Sequence, residues 1–313
     1  MKNSGIGGQA LMEGVMMRNG GVYACTVRKE NGETVQIKEN YKTIGGSDKL
    51  RKIPFLRGPV IFLDSMKLGM SSLSWSSSFF MEEEKAEQPR EEASREEAAK
   101  TEKKPKGEQA AMAASMLFAL VLAVGFFIIL PAFLTRLLKH VISSPLGVSL
   151  IEGCFRMIIF ILYLTLISQM KEIKRVFMYH GAEHKCINCL EQGLPLTVEN
   201  AKKSSRFHKR CGTSFILFTL LVSIFVGIFL PKEPLLLRVG LKLLALPLVM
   251  SLSYEFIHLA GCSDNPLINA LSKPGLWLQH ITTREPLEDM IEVGMASTEA
   301  VFDWKSWQEE NFG

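Results

Sequence analysis

The sequence predicts a mainly α membrane protein. It should have about four transmembrane helices, a small β-rich N-terminal cytoplasmic unit, an interfacial or re-entrant helix and a cytoplasmic C-terminal tail. Three observations carry this reading. Residues 110–135 hold no charge and are long enough to cross a hydrocarbon core of about 30 Å as a helix. Further apolar stretches of similar length follow, separated by loops in which Lys and Arg are concentrated on one side. The first fifty residues instead alternate apolar and polar positions around a hairpin signal. The 47% hydrophobic content is therefore very unevenly spread.

In chain order, residues 1–58 make the small β-rich unit. Val22 to Ile37 alternates apolar and polar positions, and Asn31-Gly32 within it is a strong hairpin signal. The preceding GIGGQALMEGVMMRNGG has neither the lysine nor the leading strand of a phosphate-binding loop, and reads as a glycine-rich turn into packed methionines. Residues 59–80 are apolar and serine-rich, with Asp64 and Lys67 one turn apart and Arg51, Lys52 and Arg57 flanking them, which suits an interfacial or re-entrant helix. Residues 81–109 are charged and lack aromatic side chains, so they cannot bury enough surface to order themselves and read as a disordered linker.

The membrane domain occupies residues 110–260. Its first span is 110–135. The second, about 146–170, carries Glu152 and Arg156 at i,i+4 as a helical ion pair. The third is 212–230, and PKEP turns the chain into a fourth at about 235–260. Arg238 and Lys242 lie near enough to one end of that span to snorkel. Glu255 and His258 lie near the other and need a partner or water. Residues 261–313 form the tail, with apolar spacing compatible with a helix after Pro286.

The net charge of +4 comes without a basic stripe interleaved with aromatics, which argues against a nucleic-acid partner. The positive flanks instead set a topology: a multi-pass cell-membrane protein with both termini and the loop 171–211 in the cytoplasm. Its partners are then the lipid bilayer, and proteins reached through the N-terminal unit and the tail. Six irregularly spaced cysteines suggest reduced thiols rather than a disulfide framework.

The chemistry-bearing stretch is YHGAEHKCINC, Tyr179 to Cys189. His180, Glu183 and His184 form H-x-x-E-H, which on a helix brings two imidazoles to one face a turn apart. In inverzincins this pattern binds zinc through the histidines and uses the glutamate as the base. A third ligand is required, and His208, Cys211 and Glu255 are the candidates. Arg210 or Arg284 could stabilise developing negative charge. Cys186 and Cys189 form C-x-x-C, but no second pair and no thioredoxin-like context accompanies them, so they read as incidental thiols.

Together GGQALMEGVMMR, YHGAEHK, RCGTSF, YEFIHLAG and LQHITTREP resemble the YqhQ-like family of uncharacterised bacterial membrane proteins, whose members are described as predicted metal-dependent enzymes. The likeness covers nearly the whole chain outside the charged linker. It emphasises Gln9, Glu13 and Arg18; His180, Glu183 and His184; His208, Arg210, Cys211 and Thr213; Glu255; and Gln279, Thr283, Arg284 and Glu285. Lys209 stands where the family usually has proline, and His258 where a basic residue is commoner, which favours Glu255 over His258 as a ligand.

The expected function is a hydrolytic, metal-dependent membrane enzyme holding one divalent ion, zinc first, at its cytoplasmic face, with Glu183 as general base. A membrane scaffold or assembly factor with a closed structural metal site is the alternative. A transporter is weaker, because no repeat relates the spans.

Overall fold

The computed structural model describes residues 2–41, 53–87, 106–138, 140, 144–231, 234–263 and 265–313. The expected linker over 81–109 lies largely outside them. The described chain is mostly helical, with one small antiparallel sheet at its N-terminal end.

Strands β1 (Ile6–Leu11), β2 (Gly14–Asn19), β3 (Val22–Arg28) and β4 (Thr34–Asn40) form a meander in the order β1-β2-β3-β4. The β3–β4 turn is the predicted one: Gly32 has φ +82°, which a Cβ-bearing residue resists. The glycine-rich stretch expected as a turn is instead the β1–β2 hairpin, in which Ile6 pairs with Asn19 and Leu11 with Gly14. Glu13 takes φ +51° in its turn, and Arg175 grips its carboxylate with two nitrogens. That ion pair offsets the cost of a left-handed non-glycine residue.

The helices are α1 (Arg57–Glu87), α2 (Lys106–Val124), α3 (Leu130–Leu137), α4 (Pro145–Ile167), α5 (Lys171–Glu191), α6 (Val198–Lys203), α7 (Gly212–Ile228), α8 (Leu235–Leu244), α9 (Leu246–Cys262), α10 (Pro266–Thr282), α11 (Glu288–Val301) and α12 (Trp304–Phe312). Two compact units divide them. One comprises 1–81, 163–223 and 245–313; the other comprises 82–162 and 224–244.

In the first unit both faces of the sheet are covered. Ile6, Val15 and Met17 join Tyr179, Ile187 and Leu190 of α5 and Met290, Ile291 and Val293 of α11 in one core. Leu11, Met16, Tyr23 and Cys25 pack on Leu68 and Trp75 of α1 from the other side. This explains why β2 reads as an apolar run without alternation, and why β3, where alternation was expected, is buried on both faces. The segment expected as a tail belongs to this unit: the Ser297 hydroxyl of α11 donates to the Val15 carbonyl and is hydrogen-bonded to the Thr26 hydroxyl, both at 2.7 Å.

In the second unit α2 and α3 are one apolar helix interrupted by a π-helical turn, Gly125–Ile129, where Leu130 N–H bonds the Gly125 carbonyl. Pro131 follows at once; it lacks an N–H and crowds the preceding turn, and the wider π turn accommodates it. Ala114–Leu137 and Leu146–Ile167 are long and apolar enough to cross a membrane. Four spans are not seen among the described residues. Gly212–Ile228 has 17 residues, about 25 Å at helical rise and short of a bilayer core. The expected fourth span is broken at Ala245 with Pro247 in the first turn of α9, so two spans become three only if α8 and α9 count as one.

Candidate metal centre

Helix α5 is unusual for a buried helix: Glu183, His184, Lys185, Asn188 and Glu191 are all nearly inaccessible to solvent. Each must be satisfied internally, and the partners they choose build the site. Lys185 Nζ donates to the Lys202 and Ser204 carbonyls at 2.7 and 2.9 Å and pairs with Glu285 at 2.6 Å. Asn188 Nδ2 donates to the Ser205 and Phe207 carbonyls at 2.6 and 3.0 Å. These bonds lay residues 202–208 along α5, so that the Arg206 carbonyl meets His184 Nδ1 at 2.7 Å.

The connection after α10 does the same for His180. The Arg284 N–H bonds the Phe177 carbonyl at 2.8 Å, and the Arg284 carbonyl sits against Gly181, where no Cβ would fit. The Thr282 carbonyl then lies 2.8 Å from His180 Nδ1. Both imidazoles thus direct Nδ1 to a backbone carbonyl, which orients the rings and leaves Nε2 of each for the cluster. The rings are 4.4 Å apart between centroids.

Cys211 completes the cluster. It stands immediately before the first residue of α7, with the Phe215 N–H bonded to its carbonyl, so its sulfur is placed at a helix N-terminus. Sγ lies 3.2 Å from His180 Nε2 and 3.1 Å from the Thr213 hydroxyl. Burial works against a thiolate there, but His180 and His184 outweigh it and hold the thiol well below its ordinary pKa. Burial likewise opposes charging His180, yet Cys211 beside it raises the imidazole to about 9.

Ligand atoms of His180, His184 and Cys211 all lie within 4.8 Å of one another, the one such group of three among the described residues. Around a tetrahedral ion with bonds of about 2.0–2.3 Å, such atoms sit roughly 3.3–3.6 Å apart, so a small contraction suffices for a fit. Glu183 lies alongside. Burial raises its carboxyl pKa, the Gly8 N–H faces it, and its Oε2 has no hydrogen-bond partner among the described residues. Gly8 is required for this approach, because a Cβ there would stand 2.8 Å from Glu183 Cγ.

Of the other residues expected at the site, Glu255 is elsewhere: it accepts a two-nitrogen contact from Arg57 and a bond from the Phe55 N–H at 3.1 Å. His208 is close, its ring centroid 5.6 Å from that of His184, but its Nε2 faces Glu191 at 3.4 Å. Arg210 is engaged by the same Glu191. Arg284 sends Nη2 to the Ser168 carbonyl at 3.2 Å, and its Nε is buried without a hydrogen-bond partner among the described residues.

Two supporting residues complete the picture. Glu191 was not singled out in the sequence; it accepts from the Ser4 N–H and hydroxyl, both at 2.8 Å, as well as from His208 and Arg210. Burial opposes its ionisation, but those hydrogen bonds prevail and hold its pKa at about 2. Gln279, fully buried, clamps the ligand-bearing loop by bonding His208 N–H and C=O, each at 2.8 Å, and the Ser214 hydroxyl at 2.9 Å. Cys186 and Cys189 are core thiols packed among α5, α11 and the sheet, with pKa values pushed up by burial.

Two helices long and apolar enough to cross a membrane, together with a polar, buried helix that carries a His/His/Cys cluster, define a mostly helical protein compatible with a membrane location and with a candidate metal centre. The chain belongs to the family described as "Protein of unknown function (DUF1385)", matched over residues 53–304. It is 36% identical over 312 residues to the uncharacterised protein YqhQ of Bacillus subtilis (strain 168), a match covering 97% of this chain and 94% of that protein. No solved structure matches it.

Proposed function

We propose that the chain is a metal-dependent hydrolytic enzyme of the cell membrane, with one divalent ion, zinc first, on His180, His184 and Cys211. The observation that carries this reading is the convergence of three ligand atoms beside a buried carboxylate with an unpartnered oxygen. A metal held there supplies an acidic water and a Lewis acid near neutral pH. The chain's own residues do the rest. The Thr282 and Arg206 carbonyls aim the imidazoles, and Thr213 donates to the sulfur. Glu183, whose carboxyl pKa is raised by burial, takes and returns the proton. The occupation of His208 by Glu191 supports an open fourth position, which a structural site would close. With both termini cytoplasmic, the substrate is a cytosol-accessible amide or ester.

Elemental analysis of detergent-purified protein tests the site. Near-stoichiometric zinc is expected in the wild type and in Glu183→Gln, and none in His180→Ala/His184→Ala or Cys211→Ala. Only the wild type should hydrolyse a generic activated ester above background. Zinc-free wild type, or turnover unchanged in Glu183→Gln, overturns the proposal.

A second reading is favoured by one specific contact: Cys211 Sγ at 3.2 Å from His180 Nε2, with His180 oriented by the Thr282 carbonyl, is a nucleophile–base–orienter series. It requires no metal, so metal-free protein that is inactivated by alkylating Cys211 distinguishes it.

A further inference from the structure

The second unit contains a charge cluster that the proposed chemistry does not use. Glu152 of α4 accepts from Arg156, one turn along the same helix, at 2.8 Å, and from Arg238 and Lys242 of α8. All four side chains are at least nine-tenths buried: 3%, 8%, 5% and 10% exposed respectively. Arg238 and Lys242 do not snorkel outward as their positions near a helix end suggested; they turn inward. Three cations face one carboxylate. Setting Arg156 aside, because it makes further contacts, the remaining cations still outnumber the anion by one; counting it, by two.

That imbalance matters because of where it lies. α4 is long and apolar enough to cross a membrane, α8 is so only when counted together with α9, and Glu152 is the unit's one carboxylate among the described side chains. Uncompensated charge is costly in such surroundings and persists where a ligand, partner or water offsets it. Arg238 Nε is buried and donates to nothing among the described residues, so one guanidinium edge is left for an acceptor. The cluster also lies near a helix end. Glu152 is six residues after Leu146, about 9 Å along the helix, and the Ser149 hydroxyl bonds the Gly227 carbonyl at 3.1 Å, placing the cluster near the end where α4 starts and α7 finishes.

We infer that Arg156, Arg238 and Lys242, balanced in part by Glu152, form a binding site for a phosphate-bearing anion. Two planar guanidinium groups and an ammonium match the several oxygens of a phosphate better than they match a halide. The phosphate can come from a lipid headgroup or from solution, and the test separates these sources.

The full chain in detergent, stripped of lipid, is titrated with phosphatidylglycerol, with phosphatidylcholine and with inorganic phosphate, and binding is followed by native mass spectrometry and calorimetry. Saturable binding of phosphatidylglycerol over phosphatidylcholine assigns a lipid site. Saturable binding of inorganic phosphate assigns a soluble anion. Arg238→Gln should weaken either by about tenfold, the loss of one charge-assisted hydrogen bond, whereas Glu152→Gln, which raises the excess charge, should tighten it. Opposite signs from two substitutions in one cluster are not produced by misfolding. Glu233, outside the described residues, is the other acid near these helices in the sequence. If Glu233→Gln raises anion affinity as much as Glu152→Gln does, the excess charge is met within the chain and the inference falls. It falls equally if neither ligand saturates, or if both cluster variants shift affinity in the same direction.

Discussion

Replacing Glu191 with Gln tests whether the loop bearing Cys211 is held electrostatically. The substitution keeps the shape of the side chain but leaves the Arg210 guanidinium, 17% exposed, without its counter-ion, and offers an amide where Ser4 and His208 donate. Two routes give the magnitude. Breaking a buried pair by removing one partner costs about 3–5 kcal/mol, and Arg210's partial exposure argues for the lower end. Independently, a carboxyl at about 2 in the folded chain, against about 4.3 unfolded, represents roughly 3 kcal/mol at neutral pH.

The sign follows from the depressed folded pKa. The stabilisation is complete above the unfolded value, near 4.3, and is lost as pH falls through that value toward 2. Thermal unfolding of the detergent-solubilised protein should therefore show Glu191→Gln lower by about 6–12 °C at pH 7, for a unit of roughly 200 residues. By pH 3 the linkage predicts a gap of about 1.4 kcal/mol, less than half the neutral value. A Tm unchanged at pH 7, or a deficit of the same size at both pH values, refutes the reasoning.

Other expectations follow from the same geometry. Gln279→Leu removes the clamp and strands the His208 N–H and C=O, which should cost roughly 2–5 kcal/mol in denaturant unfolding and lower zinc affinity through the displaced loop. Gly8→Ala puts a methyl against Glu183 Cγ, the Met16 carbonyl and Met17 sulfur, each at 2.8 Å; overpacking of about 1–3 kcal/mol should appear as a lower Tm. Chelation followed by iodoacetamide and peptide mapping should add Cys211 to the labelled thiols, while Cys186 and Cys189, buried and poorly ionised, stay unmodified until the chain unfolds.

How far the site was legible depended on chain distance. His180, Glu183 and His184 lie within one helical turn of each other, so spacing alone placed them together, and Cys211 was among three candidates because a re-entering helix began beside it. Choosing Cys211 over Glu255 required knowing that Arg57, 198 positions earlier, already occupies Glu255. No periodicity encodes such a pairing. Glu191 escaped notice for a similar reason: at the end of α5 it reads as a solvated helix terminus, and only Ser4, His208 and Arg210, from two other segments, reveal it as buried. The β1–β2 hairpin was missed because its turn is Met12-Glu13 rather than Asn-Gly, and because β2, covered on both faces, shows no alternation. Arg238 and Lys242 were read by their distance from a helix end, whereas the inward carboxylate of Glu152 decides their direction.

The pairing of α11 with the sheet has a consequence for how the molecule is made. Val15, Thr26 and Arg28 find their partners in Ser297, Glu292 and Asp289, more than 260 residues later. During synthesis the strands emerge first and must wait, one apolar face uncovered, while the apolar helices that follow are made. Only when α11 leaves the ribosome is that face sealed, and the Thr282 carbonyl that aims His180 arrives just before it. A nascent chain stalled between residues 211 and 282 therefore has all three ligand residues but lacks the carbonyl that aims His180. The protein cannot hold a competent site until its biosynthesis is nearly over.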